Sequence, residues 1–273
     1  MQFGILAHLL GTCSYEELPR RVRAHGFTFV QLALAKAFDG ISTKTGALSP
    51  GYGIRVAEAF RREGVRIAVL GCYVDTTNAD PTLRRQALDR FKEHLRFARD
   101  FGASIVAFET GHVSADRDPD DVWAILRGSM QELAAEAERW GVHIGLEPAL
   151  GHAVDSLDTL ERILADVPTA NIGVLLDPCN LLHKDNAANQ DDIMRRAFEQ
   201  FGSRMIMAHV KDIAFDADGT KRNVPLGQGM LNLALYMELL RTNKPLMDVT
   251  LEQVQPEHMK DALDYLREQG YAD

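Results

Sequence analysis

Short apolar runs that end on polar side chains recur along this chain, and helical stripes separate them. Gln2–Ala7, Phe27–Leu34, Val65–Cys72, Ser104–Glu109, Val142–Glu147, Ile172–Asp177, Met205–Asp212 and Asp248–Glu252 read as strands. Between them, apolar positions return at helical spacing. Tyr15, Leu18 and Val22 follow Ser14 as an N-cap, and Val56, Ala59 and Phe60 mark a second helix. Asp80-Pro81 opens a third, with Leu83, Ala87, Phe91, Leu95 and Ala98 on one stripe. Asp118-Pro119 opens a fourth, with Val122, Leu126, Leu133 and Ala137. Further helices are predicted over Asp155–Ala165, around Ile193, Ala197 and Phe201, around Leu235 and Leu239, and after Pro256 with Met259, Leu263 and Leu266. Two long connections stand out. Ala35 to Gly53 is rich in Gly, Ser, Thr and Asp and reads as a lid, and Ile213 to Gly229 reads as a loop.

Strict alternation of strand and helix implies a parallel sheet with right-handed crossovers. Eight such units in about 250 residues are the size of a (β/α)8 TIM barrel, which predicts one α/β domain over residues 1–273. The rival is a doubly wound open sheet, which usually carries a glycine-rich phosphate turn after its first strand; His8-Leu9-Leu10-Gly11 is not one.

In such barrels, chemistry sits at the C-terminal ends of the strands. The last four strands end on Glu147 (IGLEP), Asp177 (VLLDP), His209 (MAHVKD) and Glu252 (VTLEQ). Alternation turns these side chains inward: Ile144, Leu146, Val174 and Leu176 face the helices, so Glu147 and Asp177 face the axis. Three carboxylates and one imidazole in a small pocket call for a cation. The oxygen-rich set suits one divalent ion, Mn, Mg or Co, and Zn accepts it too. The competing reading is that one or two carboxylates are protonated, or that each is satisfied by lysines and backbone.

Other polar groups are placed around that centre. Lys211 shares the inward parity of His209 and would hold a substrate oxygen or phosphate, or balance the carboxylates. Asp212 would orient a ligand or bind loop backbone, with the first favoured. Glu109 and His8 end their strands and are candidate substrate contacts, as is His183 in the loop after Asp177, although a surface histidine is the simpler reading of His183. His143 begins its strand and reads as structural, and Gly227 and Gly229 as turn-formers near the substrate.

Composition narrows the partners. The chain has 46% hydrophobic and 25% charged residues and a net charge of −9, with no basic cluster, which disfavours nucleic acid and anionic membranes. No apolar run approaches the ~20 residues of a membrane span, and MQFGILAHLLG reads as a first strand, not a signal peptide. Three cysteines without CxxC spacing fit a reduced, cytoplasmic protein. A homo-oligomer is compatible with all of this.

On the Glu-Asp-His-Glu order, HVKD, and the PLGQG segment Pro225–Gly229, the chain resembles the xylose-isomerase-like barrels, the sugar phosphate isomerase/epimerase superfamily, over nearly its whole length. The resemblance implies a metal enzyme in which Glu147 and Glu252 are also the acid/base groups. The expected activity is isomerisation or epimerisation of a small carbohydrate (a sugar, sugar phosphate or related polyol) through proton transfer and a metal-stabilised enediolate. A dehydratase of an inosose- or dehydroshikimate-like substrate and a non-catalytic sugar-binding barrel are the alternatives. Two positions depart from the ketose 3-epimerases of that superfamily: Asn180 stands where they have His, and Phe215 where they have Arg. DPCN and HVKD also lack the extra ligands of the related three-metal endonucleases.

Overall fold

Each predicted apolar run forms a strand in the computed structural model of the chain, which describes residues 1–272. The first seven are β1 (Phe3–Leu6), β2 (Phe29–Leu32), β3 (Arg66–Gly71), β4 (Ile105–Phe108), β5 (His143–Leu146), β6 (Ile172–Leu176) and β7 (Met205–Val210). A hairpin, β8 (Asp212–Phe215) and β9 (Lys221–Val224), follows, and then the last barrel strand, β10 (Val249–Leu251). The eight barrel strands run parallel in chain order and β1 closes the ring against β10. This is a single-domain (β/α)8 barrel.

Nine helices surround it among the described residues: α1 (Leu18–Ala24), α2 (Leu34–Ala37), α3 (Pro50–Arg62), α4 (Pro81–Phe97), α5 (Pro119–Trp140), α6 (Leu157–Asp166), α7 (Gln190–Phe201), α8 (Leu233–Asn243) and α9 (Met259–Glu268). Their starts are chemically defined. Asp80 and Asp118 accept backbone N–H groups of the first turns of α4 and α5, and each helix has Pro in that turn, where its missing N–H costs nothing. Ser156 and Thr159 cap α6 reciprocally.

Strand alternation builds two cores. Outward residues such as Ile144, Leu146, Val174 and Leu176 pack beneath the helices. Inward residues Phe29, Val69, Ala107, Leu175 and Met207 fill the barrel interior. Each of the larger of these side chains contributes roughly 1.5–3 kcal/mol on burial. The inner plug also forms an apolar floor beneath the C-terminal mouth.

Three expectations are corrected. Leu83 is exposed, at 51%, and is not on the buried stripe of α4, which is Leu88, Phe91 and Leu95 with His94. At 3.6 residues per turn, Leu83 lies roughly 110° from the mean direction of those three. The long connection after β2 is shorter than Ala35 to Gly53, because α2 takes its start and α3 begins at Pro50, leaving residues 38–49. Ser49 caps α3, and Gly53, which reads as a loop residue, is needed inside the helix: a Cβ there would lie 2.7 Å from Asp100 Cβ. The segment Ile213 to Gly229 is not all loop, since it contains most of the β8–β9 hairpin.

Candidate metal centre

β5, β6 and β10 stop one residue before Glu147, Asp177 and Glu252, and His209 is the penultimate residue of β7. The inward parity of all four brings their side chains to one point above the apolar floor. One ligand atom from each residue can be chosen so that all lie within 4.8 Å of one another. Glu147 is 2% exposed, and Asp177 and His209 are 0% exposed. Water is thus largely removed from a site holding three carboxyl groups.

The contacts within the cluster are specific. His209 Nδ1 lies 3.3 Å from Glu147 Oε1 and 3.7 Å from Glu252 Oε2. Lys211 Nζ lies 3.1 Å from Asp177 Oδ2 and donates to Glu252 Oε2 at 2.8 Å and to Asn180 Oδ1 at 2.6 Å. Asn180 Nδ2 in turn donates to Glu147 Oε1 at 2.8 Å, and Cys179 N donates to Asp177 Oδ1 at 2.8 Å. Asn180 and Lys211 therefore brace the carboxylates from one side.

Burial and neighbours set the protonation balance. Burial pushes the Glu147 carboxyl up to about 7, against the pull of His209. Burial also raises Asp177, opposed by Lys211. Burial drives Glu252 upward too, but Lys211 and His209 outweigh it and hold this group well below the usual carboxylate range. His209 is pulled down by burial, yet Glu147 and Glu252 carry it up to about 10. Protons and the Lys211 ammonium thus do the work of a counter-ion in the protein alone.

The donor set fits a divalent cation. Two atoms of the cluster, His209 Nδ1 and Asp177 Oδ2, are buried without a hydrogen bond, although Lys211 stands near the second. Buried polar atoms are seldom left so, because each costs roughly 1–3 kcal/mol. With the imidazole neutral and the carboxyl ionised, both are lone-pair donors facing the cluster, and a cation bound there would satisfy both.

The remaining candidates separate into two groups. Glu109, half-buried at the end of β4, has its carboxyl raised by burial and then by Glu252, and lies 3.8 Å from His152 Nε2. His8, in a turn after β1, is lowered to about 4 by burial and by Lys36, with Glu252 opposing, and its Nδ1 is buried without a partner. Both lie within electrostatic reach of Glu252. His183 is not brought to the cluster. It is exposed, accepts from Asp185 N, and lines a surface depression of about 500 Å³ with Asp155, Asp158 and Arg196. Asp212, expected behind a ligand, contacts none of the four. Its carboxylate accepts N–H groups of Ile213, Gly227, Gly229 and Leu231 at 2.9–3.1 Å. A Cβ at Gly229 would sit 2.1 Å from Asp212 Oδ1, so glycine lets the PLGQG backbone wrap the carboxylate.

Sequence reasoning missed Gln31 and Tyr73. Gln31 is fully buried in β2, bonded to His209 Nε2 at 3.0 Å and to the Tyr73 hydroxyl at 2.9 Å. The signal was a single amide inside the apolar run FVQL. Asn180 was noticed only as a departure from a family pattern, although it bridges Glu147 and Lys211.

The fold is a (β/α)8 barrel carrying, at the C-terminal ends of its strands, a cluster that could hold a metal ion. The family model for xylose isomerase-like TIM barrels matches residues 19–269, and the chain belongs to that family. The fructoselysine 3-epimerase of Escherichia coli O157:H7 is 24% identical over 243 residues, which cover 83% of this chain and 82% of that protein. Among solved structures, a D-tagatose 3-epimerase-like protein superposes with a TM-score of 0.76 at 18% identity, covering 98% of this chain and 96% of its own. An IolI protein with a bound zinc atom superposes with a TM-score of 0.74 at 18% identity, covering 99% and 96%. Among the described residues no helix is long and apolar enough to cross a membrane.

Proposed function

We propose that this protein is a divalent-metal-dependent epimerase or isomerase of a small, unphosphorylated sugar or sugar-like polyol. The observation that carries the reading is the buried cluster of Glu147, Asp177, His209 and Glu252, in which His209 Nδ1 and Asp177 Oδ2 are buried without a hydrogen bond. Epimerases among the relatives and the zinc in one similar structure support it. The four side chains would hold Mn, Mg, Co or Zn. A cation there would polarise the carbonyl and adjacent hydroxyl of a ketose and acidify the C–H bond between them.

The chain's own groups would do the rest. Glu147 and Glu252 stand on strands three steps apart in the ring and approach a bound carbon from different sides. One takes the proton from carbon and the other returns it. Asn180 keeps Glu147 in place and Lys211 keeps Glu252 in place. His8 and Glu109 would hydrogen-bond sugar hydroxyls at the rim. Charge argues against a phosphate: the Lys211 ammonium is already taken up by Asp177, Glu252 and Asn180, and Glu109 adds a carboxyl nearby. A cytoplasmic setting fits three unpaired, buried thiols.

The test is a metal-supplemented screen of ketoses, matched ketose phosphates and inososes in D2O, read by mass spectrometry. Epimerisation gives a product one mass unit heavier with the carbon skeleton intact. Loss of water would make the protein a dehydratase. A ligand that binds without taking up deuterium would make it a sugar-binding barrel, and turnover restricted to phosphates would overturn the unphosphorylated substrate.

A further inference from the structure

We infer that Gln31 is a positioning residue. Its side-chain amide fixes which ring nitrogen of His209 carries the proton, leaving the lone pair on the nitrogen that faces the carboxylates, and so sets the affinity of the cluster for a divalent cation. This rests on the metal-centre reading above.

Gln31 is fully buried in the middle of β2, a strand flanked on both sides by other barrel strands. A buried amide is costly unless its polar atoms are bonded. Here both ends are used. Oε1 lies 3.0 Å from His209 Nε2, and Nε2 donates to the Tyr73 hydroxyl at 2.9 Å. Tyr73 is itself held, because the Lys36 ammonium sits 4.1 Å over its ring. The backbone contributes as well. Phe29 and Gln31 share the inward parity of β2, while Val30 and Leu32 pack outward beneath the helices. Gln31 is thereby brought to His209, 178 positions away in the sequence.

The chemistry follows from what each atom can do. With the Gln31 carbonyl against it, His209 Nε2 must carry a proton. In a neutral ring the lone pair then belongs to Nδ1, the nitrogen that faces Glu147 and Glu252 and has no hydrogen bond. If the amide were reversed, its N–H would face Nε2, the proton would move to Nδ1, and the imidazole would present a hydrogen where a cation needs an electron pair. In the orientation present, the Tyr73 hydroxyl accepts from the amide, so both ends of the side chain are bonded. Partners of this kind, behind a ligating histidine, are worth roughly 10–100-fold in metal affinity.

The experiment uses the full chain. Zinc affinity is measured by competition with a chromophoric chelator at fixed pH, and ¹⁵N-histidine spectra are recorded on the zinc-loaded protein. The wild type should show His209 protonated at Nε2 and zinc-shifted at Nδ1. Gln31→Met, with folding checked by thermal unfolding, should lose roughly 10–100-fold in zinc affinity and exchange its Nε2 proton faster. Gln31→Glu, which keeps an acceptor at the same place, should stay within a few-fold of wild type. A folded Gln31→Met protein with wild-type affinity overturns the inference and leaves the metal centre standing. A zinc-loaded wild type with the proton on Nδ1 does the same and needs no variant. If the wild type takes up no zinc, manganese or cobalt, the metal centre and this inference fall together.

Discussion

Glu147 and Glu252 carry the same functional group in opposite electrostatic company. Glu147 has burial dominating and a neutral Asn180 amide beside it, whereas Glu252 has the Lys211 ammonium at 2.8 Å. Replacing either by Gln keeps shape and one oxygen but removes the proton carrier. Glu147→Gln and Glu252→Gln should each retain metal by elemental analysis and lose on the order of 10²-fold or more in turnover; a variant that holds metal and turns over within a few-fold of wild type reduces that Glu to a ligand. A second residue-scale prediction lies outside the site. His94 is 2% exposed on α4, bonded through Nδ1 to Arg90 O at 2.9 Å, and burial lowers it to about 4. The folded state therefore keeps it neutral while the unfolded chain takes up a proton near pH 6.5. Its stabilising contribution is full above that pH and is lost as pH falls toward 4, amounting to about 2 kcal/mol between pH 7 and 5. His94→Leu should remove that much of the pH dependence of the urea midpoint; parallel curves for the two proteins would rule it out. The sequence made the four strand ends legible because period-two alternation states which way each terminal side chain points. It could not make Gln31 legible, since what gives that amide meaning is a histidine on another strand.

Elements were readable where a stripe met a cap and obscure where neither was present. Asp80 and Asp118 announce helices because their side chains satisfy free N–H groups. The β9 strand, KRNV, has two exposed basic residues and no apolar alternation, so nothing marks it as a strand until it pairs with β8. The connecting elements at the barrel mouth are held by single carboxylates. Glu93 on α4 accepts N–H groups of Gly46 and Leu48 at 2.9–3.0 Å, pinning the segment over residues 38–49 whose sequence reads as a lid. Glu93→Ala should raise protease cleavage within that segment while the unfolding midpoint moves little, because the contacts are at the surface. Asp212 is the stronger pin, being 3% exposed and accepting four backbone donors. Its loss leaves those N–H groups to find water or each other, and hydrogen bonds to a charged group are worth roughly 1.5–3 kcal/mol apiece before relaxation. Asp212→Ala should lower stability by about 3 kcal/mol or more and open residues 225–231 to proteolysis; an unchanged midpoint would show that the loop packs without its anchor.

At the scale of the whole molecule, the barrel concentrates negative charge at one end of an apolar plug. Phe29, Val69, Ala107, Leu175 and Met207 close the interior below the cluster, so its carboxylates cannot be hydrated from beneath. Without a cation the balance rests on Lys211, on a proton held by His209, and on a Glu147 carboxyl raised toward neutrality. A divalent cation bound there would replace those protons, and because the unfolded chain has no preformed site, its binding free energy would add to stability. At about 100 times the dissociation constant the gain is about 2.7 kcal/mol, which for a chain of this size corresponds to a rise of roughly 5–10 °C in Tm. The sign with pH follows from the protons displaced: His209 must be neutral to ligate, so the increment should grow from pH 6 to pH 8. Chelator-treated protein, titrated with manganese or zinc in a scanning calorimeter at both pH values, checks magnitude and direction together. Asp177→Asn should keep the barrel folded and lose most of the increment, since Asp177 Oδ2 is one of the two lone-pair donors that no hydrogen bond satisfies. If wild-type protein unfolds at the same temperature with and without metal at pH 8, the cluster is a self-neutralised polar core, and the epimerase reading loses its chemical basis.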